Sequence, residues 1–356
     1  MTEQSTDVAS MSTLIDALEN DRCVELYSWP VSPISSAEIE ELRFGPCPVC
    51  RGDCGQALYE IGPDRDRRLV VCRTCGLGCL SPLPSSSELA SFYVPTYYGD
   101  CGNKFNQLIE FAVRFVSARQ SGLLARSVPK NGRILDVGCG RGVALRALVD
   151  QGFEVYGHEI SLHAVRGIDP RIQVRIAPSL AEANFPEAFF DKIVFWHVLE
   201  HTPNPHEVLI EAHRTLKPGG VIIVAVPNFS SWQATWAEST WFHLDPPRHL
   251  FHFPLPALVR LLKEIGFSIR SEHHFSLRQN PFGWVQSLLN RFHRLPRNGL
   301  YVLLQRRPPN VAPPFSWRIR WLLWCAFLLA MPWALLLSIV AAVFRRGATI
   351  HVIAMK

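Results

Sequence analysis

Six cysteines fall between Cys47 and Cys79, and four of them form two C-x2-C pairs, Cys47-Pro48-Val49-Cys50 and Cys72-Arg73-Thr74-Cys75, with 21 residues between the pairs. Thiolates at that spacing converge on a tetrahedral zinc ion. With four sulfurs bound, no coordination position stays open for chemistry, so the expected metal is structural. Cys54 and Cys79 are spare, and either could replace a primary ligand. A second cluster, Leu135-Asp136-Val137-Gly138-Cys139-Gly140-Arg141-Gly142, sets three glycines at alternate positions. Such a turn lets backbone approach a ligand closely at the start of a helix. Val143 stands where the dinucleotide fingerprint places its third glycine, which counts against a dehydrogenase. Glu159 follows Gly138 by 21 residues and ends Val155-Tyr156-Gly157-His158-Glu159, where a carboxylate can accept hydrogen bonds from both hydroxyls of a ribose. Three histidines are candidate bases near neutral pH: His197 and His201 in WHVLEH, and His249 in DPPRHLFHF. His249 and His252 also have the helical spacing of a metal pair, without a third ligand in the sequence.

Elements must bring these groups together. Alternating apolar patterns predict strands over 133–137, 153–159, 172–176, 191–196, 221–226 and 267–275, with helices over 108–128, 143–150, 205–216 and 254–265 between and around them. Strands separated by helices of this length form an α/β fold, a doubly wound and mostly parallel sheet. Its ligands sit at the carboxyl ends of the strands. A run at 348–354 has the alternating form of a last, antiparallel strand.

LDVGCGRG, the acid ending the second strand, FDKIVFWHVLEHTPNP and LKPGGVIIVAVPN occur in an order that resembles class I S-adenosylmethionine-dependent methyltransferases, over about 105–275. The resemblance implies a seven-stranded Rossmann-like sheet in which Asp136, Gly138, Cys139, Gly140 and Gly142 line the methionine part of S-adenosylmethionine. Glu159 would grip the ribose, Ser179 and Leu180 would lie by the adenine, and Trp196 and His197 would face the methyl group. It also implies an acceptor-side loop at Asp245–Phe253, making His249 the first choice of base, with His197 and His201 behind it. The cysteine module, followed by Pro-x-Pro and Tyr97-Tyr98, resembles the N-terminal zinc ribbon of bacterial methyltransferases acting on nucleotide-linked sugars or related small molecules.

The organisation expected is a polar N-terminal segment at 1–43 with a short helical pattern (Leu14, Ala17, Leu18), a zinc ribbon at 44–82 and a linker at 83–104. A cofactor domain at 105–275, a basic and hydrophobic insertion at 276–346 and a final strand at 347–356 follow. The 356 residues carry a net charge of +5, but after Glu272 there are ten Arg, one Lys and no acid, so the first 272 residues carry −6. Residues 321–344 hold no charge and are flanked by Arg318, Arg320, Arg345 and Arg346. A helix of that length would be about 36 Å long, enough for a hydrocarbon core of about 30 Å. Pro332 near its middle suggests a kinked, re-entrant or interfacial hairpin lying with 282–346 among membrane lipids; a single-pass anchor is the competitor. The N-terminus has no basic and apolar leader, which places the expected enzyme on the cytoplasmic face. The acceptor expected is a small molecule or a glycan, methylated on oxygen or carbon. An RNA methyltransferase and a non-catalytic membrane scaffold are the alternatives. Arginines clustered around an apolar segment weigh against nucleic acid.

Overall fold

A computed structural model describes residues 30–34, 44–93, 104–105, 107–126, 128–305 and 315–356. Leu14, Ala17, Leu18 and Tyr97-Tyr98 lie outside the described residues. In chain order the first strands are β1 (Val31–Pro33), β2 (Phe44–Pro46), β3 (Asp53–Ile61), β4 (Arg67–Cys72) and β5 (Gly78–Ser81), followed by helices α1 (Ser86–Ser91) and α2 (Gln107–Ala125). Then come β6 (Arg133–Val137), α3 (Val143–Val149), β7 (Glu154–Glu159), β8 (Gln173–Ile176), β9 (Phe190–Trp196), α4 (Pro205–Thr215) and β10 (Leu216–Pro227). The remainder is α5 (Trp232–Ala237), β11 (Phe251–His252), α6 (Leu255–Ile265), β12 (Ser268–His273), α7 (Asn280–Asn290), α8 (Gly299–Leu304), α9 (Trp317–Val343) and β13 (Thr349–Met355).

The larger sheet has seven strands in the order β12-β13-β10-β9-β6-β7-β8, with β13 antiparallel to both its neighbours. Strands β6 to β10 run parallel. Four consecutive residues of β6, Ile134–Val137, are buried, as a strand covered on both faces requires. The register pairs Val137 with His158 and with Phe195, and Glu159 with Ile176, so these strands end along one edge of the sheet. Asp136, Glu159 and Trp196 therefore share that edge.

The smaller sheet runs β1-β3-β4-β5-β11, with β2 on β3. Its last strand is borrowed from the second half of the chain. Phe251 pairs with Cys79 and His252 with Gly78, the Leu80 amide donates to the Leu250 carbonyl at 2.9 Å, and the Leu250 amide donates to the Glu200 carbonyl at 2.8 Å. Cys47, Val49, Leu69 and Leu77 lie in one continuous core with Leu250, Phe253, Ala257 and the sheet residues Phe195 and Val224.

The segment between β12 and β13 packs as a third cluster, in which Val285, Leu289, Leu300, Leu304, Leu323 and Ala334 meet Phe105 and Val113 of the first half. The expected hairpin is not formed. Helix α9 is one uninterrupted helix of 27 residues through Pro332, about 40 Å long by its rise. Pro332 removes a single hydrogen bond, to the Leu328 carbonyl, and both flanking halves are long enough to keep their own ladders. Its buried residues, Leu323, Ala334, Ser338 and Ala341, form one narrow stripe against the α7 side, while Trp321, Leu328, Leu329, Trp333 and Val343 are exposed. Contacts along that stripe join the helix to α7, and β13 follows it back into the sheet.

Candidate active site

At the cofactor end, Gly138, Gly140 and Gly142 all have positive φ, which sets the turn between β6 and α3. A Cβ on Gly138 would stand 2.5 Å from Val198 Cγ2, whereas one on Gly140 would meet nothing within 4 Å. Gly138 is thus needed for packing, and Gly140 faces open space. The Gly138 and Cys139 amides donate to the His158 carbonyl at 2.8 and 3.1 Å, tying the turn to β7. Glu159 accepts from the Gly140 amide at 2.9 Å and the Ile160 amide at 2.8 Å. Asp136 is buried, its Oδ1 has no partner among the described residues, and burial, then the nearby Glu159, pushes its pKa up to about 7. Arg141 of the turn is held by Glu110 of α2 at 2.7 Å, a contact that no local pattern signals.

Cys139 turns its thiol toward Gly157, so it offers the site its backbone only. Leu180 is buried in the main core. Ser179 donates to Glu182 Oε1 at 2.7 Å and accepts from the Glu182 amide, which supplies a carboxylate beside the expected adenine position. The S-x-x-E spacing was its available signal. Trp196 ends β9 with its ring 4.7 Å from that of His351, a residue of β13 that sequence reasoning did not single out. His197 has φ 56 and places Nδ1 3.2 Å from Glu200 Oε1, while its Nε2 has no partner among the described residues.

At the expected acceptor end, Glu200, His201 and His249 present atoms within 4.8 Å of one another. Glu200 and His201 join His249 in this set, and His252, its possible partner by spacing, is not a member. Such a triad can hold a divalent cation or pass a proton. His249 Nδ1 donates to the His243 carbonyl at 2.8 Å, which leaves Nε2 with its lone pair, 3.8 Å from Asp245 Oδ2. His201 sits edge-on to His249 at 4.6 Å, and its Nδ1 lies 3.0 Å from the Arg248 carbonyl and 3.1 Å from the Tyr93 hydroxyl. Asp245, in the left-handed region at φ 36, pairs with Arg248 and fixes the loop. Burial pushes Glu200 up to about 7, pulls His201 down and holds His249 well below the usual imidazole range. Both imidazoles are therefore neutral at pH 7.

In the cysteine module, Cys47 Sγ lies 3.6 Å from Cys75 Sγ and Cys50 Sγ 3.4 Å from Cys72 Sγ, and all four sulfurs fall within 4.8 Å of one another. Tetrahedral zinc with bonds of about 2.3 Å needs sulfurs about 3.8 Å apart, so the donor set fits that ion. The side chain of Cys79 is half-buried outside this group.

A model of the methyltransferase domain matches residues 109–272. The ubiquinone biosynthesis O-methyltransferase of Maricaulis maris is 32% identical over 184 residues, covering 48% of this chain and 72% of the relative. The chain belongs to the S-adenosylmethionine-dependent methyltransferases. The 24-methylenesterol C-methyltransferase 2 of rice (Oryza sativa subsp. japonica) is 28% identical over 193 residues, 48% of this chain and 50% of the relative, so the chain spans only half the length of that protein. A methyltransferase structure from Archaeoglobus fulgidus is similar in layout, with a TM-score of 0.42 and 18% identity, covering 70% of this chain and all of that one. In this methyltransferase the open space before Gly140 and the unpartnered Asp136 Oδ1 fit S-adenosylmethionine, whose ammonium group suits a buried carboxylate. The cysteine module and the segment from α7 to α9 lie outside the matched domain.

Proposed function

We propose that this methyltransferase modifies a hydroxyl or an acidic carbon of a small-molecule acceptor presented at a membrane surface, on the cytoplasmic face, and that its cysteine module holds a structural zinc. The observation that carries the reading is the segment Asp245–Phe253. It sets neutral His249 against Glu200 and His201, and it is hydrogen-bonded through β11 to the ribbon. S-adenosylmethionine supplies a methyl group on a sulfonium, and the protein must align donor and acceptor and take the acceptor's proton. His249 Nε2 is the nitrogen free to accept that proton. Glu200, with a pKa near 7, supports the imidazolium that forms. Asp136 and Glu159 bind the cofactor, and Trp196 offers a ring to its cation.

The relatives named for ubiquinone biosynthesis and for a sterol favour an amphiphilic acceptor, and a glycan on a lipid carrier belongs to the same class. The exposed apolar face of α9 supports the membrane surface as the place of reaction. The test offers methyl-labelled S-adenosylmethionine with a total lipid extract, a nucleotide-sugar mixture and RNA side by side. Label should enter the lipid extract with wild type and fall at least a hundredfold with His249→Gln. Label in RNA alone would overturn the reading.

A further inference from the structure

Helices α5, α7 and α9 enclose an apolar groove of about 640 Å³. Trp232 and Trp236 come from α5, Trp284 and Leu288 from α7, and Trp333 and Leu337 from α9; no charged residue lines it. Its volume lies in the range of small-molecule sites, roughly 300–1,000 Å³. Arginines stand beside it. Arg291 lies 5.1 Å from the Trp236 ring and donates to the Trp236 carbonyl at 2.8 Å, and Arg346 donates to the Ser230 carbonyl while its own carbonyl accepts from the Trp232 amide.

We infer that this groove binds a hydrocarbon chain of a membrane lipid with an anionic headgroup, an inference that rests on the membrane reading above. Three observations select a lipid over a protein partner. The groove is continuous with a long apolar face of α9, where Leu328, Leu329, Trp333 and Val343 are each at least 66% exposed. Patches of that extent mark membrane or partner surfaces. Tryptophans with nearby arginines match a headgroup boundary, where the indole sits between chain and water and the guanidinium meets phosphate. The charge after Glu272 is wholly positive apart from histidine, which suits an anionic lipid.

The position has a consequence for the reaction. Helix α7 also meets the acceptor-side loop, because a Cβ on Gly283 would stand 2.5 Å from Gln233 Oε1 and 2.9 Å from His243 Nε2, and the His243 carbonyl accepts from His249 Nδ1 at 2.8 Å. A chain in the groove therefore shares α7 with that loop. Lipid bound there is placed to bring an amphiphilic acceptor to the site.

The test uses the full chain with phosphatidylcholine vesicles containing phosphatidylglycerol that bears a diazirine on a sixteen-carbon chain. After photolysis, adducts should map to 232–237 and 284–288 as well as to the outer face of α9. Ala330→Trp, which fills the groove while leaving the outer face apolar, should lower the 232–237 and 284–288 adducts at least tenfold and keep those at 328–343. A second variant, Thr235→Trp, fills the groove from the other side and should act alike. Undiminished groove adducts in both variants would overturn the inference, as would labelling confined to the outer face. The latter together with a dimer in sedimentation would assign the groove to a second copy of the chain. Wild type that neither sediments with vesicles nor is labelled would fail the membrane reading itself.

Discussion

At the cofactor end, Asp136, the glycine turn and Glu159 come from one stretch of 24 residues and are joined by backbone hydrogen bonds between adjacent strands. At the acceptor end, Tyr93, Glu200, His201, His243 and His249 come from three separate segments. They are drawn together by a strand exchanged between the cysteine ribbon and the core domain. The first arrangement follows from local turn geometry. The second depends on a small sheet for which we propose a structural zinc, so the two ends should fail for different reasons.

Zinc removal separates them most widely. Chelation should loosen the ribbon, raise hydrogen exchange at the Leu80 and Leu250 amides, and cut methyl transfer at least tenfold, with cofactor affinity changed less than about threefold. Equal loss at both ends would break the comparison. Within the cofactor end, Gly138→Ala forces a methyl group onto Val198 at φ 68, and denaturant unfolding should show a loss of about 2–4 kcal/mol. Gly140→Ala meets no atom, so about 1–2 kcal/mol of backbone strain is expected, while calorimetry should find cofactor affinity reduced tenfold or more. The smallest effect concerns pH. Asp136, raised by burial to about 7 from an ordinary 3.8, favours the protonated fold, and its contribution to stability is lost as pH rises through 7. A cationic cofactor reverses the preference. Affinity should therefore rise with pH, by no more than about tenfold per unit below 7, and level off above it. Titrations from pH 6 to 8 on wild type and Asp136→Asn check this, the variant showing the smaller rise.

The contrast also explains what could be read from the sequence. The expected strands at 133–137, 191–196 and 348–354 match β6, β9 and β13 to within one residue at each end, because hydrophobic period and turn residues are local signals. The sulfur quartet was legible for the same reason. The pairing of Gly78 with His252 was not, since contacts 174 residues apart leave no spacing to recognise. Glu200 was hidden by its type: a Glu beside a His reads as a surface carboxylate until burial is known. Pro332 misled because proline ends a helix by local rules, whereas α9 continues through it with the stripe of Leu323, Ala334, Ser338 and Ala341 buried.

The most direct measurement is a calorimetric titration of S-adenosylmethionine into wild type, Glu159→Ala and His249→Gln, with methyl transfer assayed on the same preparations. Glu159→Ala should lose cofactor affinity tenfold or more, since its carboxylate holds the Gly140 amide and is the proposed acceptor for the ribose hydroxyls. His249→Gln should bind within about twofold of wild type and lose methyl transfer at least a hundredfold. Cofactor affinity lost equally in both variants, or His249→Gln as active as wild type, would contradict a site with separately built cofactor and acceptor ends.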